Sequence, residues 1–285
     1  MSNLSTTSSK GIAAFAQNNP YTDYVRLAYL QALSVKLTQT HNQYAVFVDD
    51  PKTIPAKYRE VFDHIIPIPW GDAAAHEEWK LSNEWKAIFC TPFDQTLKVD
   101  CDMLFLEDHV DWWRLYEEHD FVPALDVTGY RGEISTADTY RKVFTTNELP
   151  NVYSALMYFT KSPRMYEFFK LSGELFKHWD QYAAQFLDYN RPQHPTTDVV
   201  YAVAAKLLNI QVHNRYAHFT HMKRDMQGVP VVDLTENWMG HFRHYFTDRL
   251  ELFVENFKQF NPFHYHVKEF ATDALIARYE RALGI

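Results

Sequence analysis

Two aspartates, Asp100 and Asp102, stand one residue apart between apolar-rich runs at 96–99 and 103–106. In an extended segment alternate residues point to the same side, so both carboxylates face one way at the end of a buried strand. A chain does not carry two unpaired carboxylates into such a run without something to offset their charge. A hard divalent cation is one such partner, and a cation-bound diphosphate is a larger one. The competing reading, two solvated turn aspartates, does not account for the apolar residues on both flanks.

The segments around this pair alternate between strand-like and helix-like patterns. Strands are expected at 11–16, 44–48, 65–68, the stretch that carries Asp100, 121–125 and 153–160, with short ones at 210–213 and 217–220. Helices are expected at 23–37 with Thr22 as N-cap, 56–62, 79–89, 110–118, 162–178 behind Ser162-Pro163, and 196–208 behind Thr196 or Thr197. Such alternation predicts an α/β fold with a mostly parallel sheet flanked by helices, whose ligands collect at the carboxyl ends of the strands. Gln17, Asp49 and Asp100 all fall at those ends. Beyond about residue 232, Leu250, Phe253, Phe257 and Phe260 form one stripe at helical spacing. Val267, Phe270, Ala274 and Ala277 begin another, which predicts a C-terminal helical extension. The expected division is a polar flexible tail at 1–9, a catalytic domain at 10–235 and the extension at 236–285.

Composition narrows the chemistry. A net charge of -8 gives no global footprint for nucleic acid, although a local basic groove would still be compatible with it. Cys90 and Cys101 are too few for a disulfide scaffold and badly spaced for zinc, which favours a reducing, cytoplasmic setting. No run approaches a membrane span in length, so no membrane partner is expected. Only eight glycines are present, none in a phosphate-cradling pattern, so bound phosphates would need a metal and side-chain cations.

The order of elements over 11–225, with "TPFDQTLKVDCDMLF" at 91–105, resembles the GT-A glycosyltransferases, in particular the glycogenin-like family. "GIAAFAQNNPYTDYVRLA" and "HFTHMK" further resemble GT-A-like proteins of tailed phages. The resemblance implies a Rossmann-like GT-A fold and a nucleotide-sugar donor, expected to be a UDP-sugar. It also implies Mn2+ or Mg2+ on Asp100 and Asp102, with His221 as third ligand, His218 as its competitor and Lys223 on phosphate. His241, His244, His264 and His266 are read as structural. Lys86 is placed at the donor phosphates or sugar, against the alternative of a solvated helix face. Gln17, Asn18 and Asn19 are placed at the nucleotide, and Asp49 or Asp50 at N3 of the uracil, where turn and capping roles compete. Asn151 and Ser154 resemble sugar-contacting residues. Asp198 resembles an acidic residue of the sugar and acceptor site, a contact or a general base, where helix-dipole complementation is the alternative.

The function these readings imply is metal-dependent transfer of a sugar to a hydroxyl acceptor. The phage resemblance points to a 5-hydroxymethylated pyrimidine in double-stranded DNA. Arg131, Arg141, Lys142, Lys161 and Arg164 are then the expected basic patch, with a scattered solvated surface as the alternative. Saccharide or protein acceptors, nucleotidyl transfer, and a non-catalytic sugar-nucleotide or nucleic-acid binding module are the competing functions. The absence of a Gly-rich basic loop after the first strand weighs against nucleotidyl transfer.

Overall fold

The computed structural model describes residues 9–78, 80–135, 138–212, 217–223, 227 and 237–285. Most of the expected tail therefore lies outside the described residues, as does His213, the end of the strand expected at 210–213. Residues 210–212 are not in a strand.

Strands β1 (Lys10–Phe15), β2 (Gln43–Val48), β3 (His64–Pro67), β4 (Gln95–Val99), β6 (Phe121–Ala124) and β9 (Tyr153–Thr160) form the main sheet in the order β3-β2-β1-β4-β9-β6. The first four neighbours run parallel, and β9 is antiparallel to both β4 and β6. Alternation along each strand buries both faces. Ile12, Ala14, Tyr44, Val46, Leu156 and Tyr158 pack into one apolar layer, and Ala13, Phe15, Ala45, Phe47, Met157 and Phe159 into the other. Each fully buried large side chain contributes about 1.5–3 kcal/mol, so both layers resist a slip in register.

The helix Tyr24–Thr38 follows β1 and is capped by the side chain of Asp23, which accepts from the Arg26 amide, rather than by Thr22. The helix expected at 79–89 is a 3-10 turn, Leu81–Lys86, leading into the short α-helix Ala87–Cys90. The helices Pro163–Lys177 and Thr197–Leu207 lie where the sequence predicts, with Ser162 and Thr196 at their N-caps.

A second sheet joins distant segments. Strands β5 (Met103–Leu104), β7 (Val127–Thr128), β8 (Ile134–Ser135), β10 (Thr220–His221) and β14 (Phe263–His264) associate in the order β5-β14-β10-β7-β8. The expected strand at 217–220 is thus a shorter one shifted toward His221.

At the C-terminus the fold ends in the helix Asp273–Leu283, which bonds back to the first helix through Glu280 and Tyr29 at 3.0 Å. The stripe from Leu250 to Phe260 is not helical. It forms β12 (Leu252–Val254) and β13 (Phe257–Lys258), paired with β11 (His244–Phe246) in a three-stranded antiparallel sheet. Leu250, Leu252 and Val254 are buried at alternate positions, the period of a strand, and Glu255 turns the chain at φ 52°. That packing prevails over the helical spacing of the phenylalanines. No described helix is long and apolar enough to cross a membrane.

Candidate functional site

The carboxyl end of the parallel strands gathers most of the predicted residues. β4 runs directly into Asp100, whose amide donates to Ala155 O of β9 at 2.9 Å. Asp102 is 5% exposed, and the Tyr265 amide donates to its carbonyl at 3.1 Å, continuing the antiparallel pairing in which His264 opposes Met103. This pairing carries His264 to the aspartates. Its Nε2 lies 3.1 Å from Asp102 Oδ1, and ligand atoms of Asp100, Asp102 and His264 all lie within 4.8 Å of one another.

Two lysines flank these groups. Lys98, 1% exposed on β4, places Nζ 3.0 Å from Asp100 Oδ1 and pairs with Glu84 on its other side. Burial pushes the Glu84 carboxyl up to about 6 against the pull of Lys98. Burial disfavours the Lys98 ammonium, but Asp100 and Glu84 outweigh it and hold the lysine charged. Lys268 pairs with Asp102 Oδ2. Burial alone would raise the Asp102 carboxyl; His264 and Lys268 more than reverse this and hold it well below the usual carboxylate range. Each aspartate therefore gives one oxygen to a lysine, and Asp102 gives its other to His264. Two carboxylate oxygens and an imidazole are a donor set that suits Mn2+ or Mg2+.

His221, predicted as the third ligand, instead stands one strand further away. It is the register partner of His264 in the β10–β14 pair, and the two Nδ1 atoms are 3.1 Å apart. His266 completes a trio whose ligand atoms lie within 4.8 Å. Burial, with the two neighbouring histidines, pushes the His221 imidazole well below its usual range, and burial with His264 pushes His266 down to about 3. Both rings are neutral near pH 7. His218 joins neither group. Lys223 sets Nζ 5.6 Å from the Tyr140 ring centroid.

Beside Asp100, the helix starting at Thr197 presents Asp198 to the start of β9. Its Oδ1 accepts from the Ser154 amide at 2.8 Å and the Ser154 hydroxyl at 2.6 Å, and its Oδ2 pairs with Arg141 Nη1 at 2.7 Å. Arg141 also donates to Asn151 Oδ1 at 2.8 Å. Lys98 reaches the Ser154 carbonyl at 3.4 Å. The predicted trio Asn151, Ser154 and Asp198 is thereby brought together, adjoining the acidic pair.

At the ends of β1 and β2, Gln17 donates to Asp49 Oδ1 at 2.5 Å and Asn83 donates to Gln17 at 3.0 Å. Asn18 and Asn19 close the following loop on itself, accepting from the amides of Val25, Tyr21 and Thr22. Asp50 caps the turn Pro51–Thr53. Lys86 is 1% exposed and donates to Gly71 O at 2.6 Å, on the side of Asp49 and Asp72. The cation beside Asp100 is Lys98, not Lys86.

Three members of the expected basic patch, Arg141, Lys161 and Arg164, do not share one surface. Arg141 is 5% exposed and committed to Asp198 and Asn151. The Lys161 amide donates to Asp94 O and Arg164 to Asn209 O, at the end of the sheet opposite Asp100.

No family model matches the chain, and no curated protein matches it in sequence. Solved structures do match. An active-site mutant of LgtC superposes with a TM-score of 0.52 at 13% identity, over 96% of this chain and 95% of that one. The galactosyltransferase LgtC with donor and acceptor sugar analogs gives 0.45 at 14% identity, over 68% and 70%. The glycosyltransferase GlyE of Streptococcus pneumoniae TIGR4 gives 0.42 at 12%, over 73% and 45%. At these identities the likeness is one of fold. Over nearly its whole length the chain shares the α/β fold of LgtC, with Asp100, Asp102 and His264 clustered at the carboxyl end of its sheet.

Proposed function

We propose that the protein is a metal-dependent glycosyltransferase that moves a sugar from a nucleotide-sugar, with a UDP-sugar as donor, to a hydroxyl acceptor. The observation that carries this is the convergence of Asp100, Asp102 and His264 beside Lys268, where a parallel α/β sheet collects its ligands. When bound there, Mn2+ or Mg2+ supplies Lewis-acid stabilisation of the charge that grows on the leaving diphosphate.

In this reading Asp100, Asp102 and His264 hold the cation. Lys268 shifts from Asp102 toward the diphosphate and neutralises part of its charge. Lys98 does not touch substrate but fixes the Asp100 carboxylate between β4 and β9. Gln17 and Asp49 meet the nucleobase, and Asn18, Asn19, Asp50 and Lys86 hold the loops that frame it. Lys223 lies near Tyr140, His221 and His266. Asn151, Ser154 and Asp198 face the transferred sugar, with Arg141 holding the Asp198 carboxylate in place. A double-stranded DNA acceptor is not favoured, because Arg141 is buried against Asp198 and Lys161 and Arg164 lie at the far end of the sheet. A small hydroxylated acceptor, saccharide or other, needs no such surface. Incubation with a panel of nucleotide-sugars and Mn2+, scoring nucleotide release with and without saccharide acceptors and hydroxymethylated DNA, tests the assignment.

A further inference from the structure

His264 carries two nitrogens with different surroundings. Nε2 lies 3.1 Å from Asp102 Oδ1, while Nδ1 lies 3.1 Å from His221 Nδ1. When a carboxylate accepts the N–H of one ring nitrogen, the lone pair sits on the other, the arrangement that orients histidine ligands in zinc sites. Here it aims the His264 lone pair at His221.

His266 follows two residues after His264, and the two rings stack with centroids 5.1 Å apart at 14°. The His221 and His266 ring centroids are 5.2 Å apart. Two nitrogens on one cation with bonds of about 2.0–2.1 Å are separated by about 2.8–3.0 Å at octahedral angles and about 3.3–3.4 Å at tetrahedral angles. The observed 3.1 Å lies between the two, so a shift of about 0.2 Å reaches either.

We propose that His221, His264 and His266 form a second cation position that takes borderline transition metals such as Zn2+ or Co2+. It is distinct from the Asp100–Asp102–His264 position that suits Mn2+ or Mg2+. Three imidazoles favour zinc and cobalt, whereas two carboxylates favour the harder ions. A neutral imidazole has a single lone pair, so His264 serves one position at a time. Asp102 ligates the hard cation in one state, and in the other it orients His264 from behind. The two positions therefore exclude each other, and zinc occupancy withdraws the imidazole from the carboxylate site. This inference concerns metal binding alone and stands whether or not the chain transfers sugar.

The test is binding of Zn2+, Co2+ and Mn2+, each alone, to the full chain by calorimetry, with X-ray absorption on the zinc-loaded protein. The spectrum is expected to show outer-shell scattering from three imidazoles, and His266→Gln and His221→Gln are expected to weaken Zn2+ and Co2+ at least about tenfold. Mn2+ affinity should change less than about threefold in His266→Gln, and saturating Zn2+ should displace Mn2+. A single-imidazole spectrum in the wild-type protein overturns the proposal even if a variant fails to fold. So does unchanged Zn2+ affinity in both variants, or an equal loss for Zn2+ and Mn2+ in His266→Gln.

Discussion

Lys98 and Asp100, two residues apart, form an ion pair of 3.0 Å that fixes a cleft carboxylate to a buried lysine inside the central strand. Because Lys98 also pairs with Glu84, one cation serves two acids, and removing it leaves a buried charge behind. Lys98→Met is expected to destabilise the protein by about 3–5 kcal/mol in urea unfolding. The Lys98→Met/Glu84→Gln double variant should recover part of that loss. Equal stability of the single and double variants would show that Glu84 does not depend on Lys98.

Asp198 tests the sugar side of the cleft. Asp198→Asn can still accept from Ser154 but loses its charge against Arg141, a cost of about 1–3 kcal/mol. If Asp198 also acts on the sugar, kcat should fall more than about tenfold with little change in KM for the donor. A stability loss with kcat intact would assign Asp198 to the scaffold.

The sequence carried the parallel sheet and the acidic pair because both depend on local period. Lys98 was within reach of the same rule, because Lys98 and Asp100 alternate at the end of β4, whereas Lys86 is the cation that the helix-borne pattern suggests. His264 could not be found that way. It meets Asp102 through a strand pairing between segments 162 residues apart, and only the three-dimensional register of β5 with β14 selects it from 14 histidines. The C-terminal strands were hidden because phenylalanines at helical spacing overlay the alternating Leu250, Leu252 and Val254.

His109 gives a pH test away from the cleft. Burial pushes its imidazole down to about 4. The unfolded chain takes up this proton near pH 6.5 and the folded one does not, so the site's contribution is intact above that range and lost progressively toward pH 4. At about 1.4 kcal/mol per tenfold difference in proton affinity, the upper bound is about 3 kcal/mol. His109→Gln should flatten the stability profile between pH 6.5 and 4, and an unchanged profile would remove His109 as its cause.

Gly173, in the helix Pro163–Lys177, lies under the Trp85 ring, and an added Cβ would sit 2.7 Å from Trp85 Cδ2. Gly173→Ala gains about 1 kcal/mol of helix propensity but forces an overpacked contact costing about 1–3 kcal/mol. A net loss is expected, with altered tryptophan fluorescence because Trp85 stacks on Trp70 at 5.7 Å. A more stable variant with unchanged fluorescence would show that the ring moves freely.

The central claim is that Asp100, Asp102 and His264 together hold the cation on which donor cleavage depends. The direct measurement is nucleotide release from UDP-sugars by wild type, Asp102→Asn and His264→Ala, in parallel with Mn2+ affinity. The account predicts Mn2+-dependent release abolished by a chelator and restored by Mn2+, with both variants losing Mn2+ affinity and at least about a hundredfold in kcat while remaining folded. Wild-type release in Asp102→Asn, or release from wild type that persists in the chelator, would contradict it.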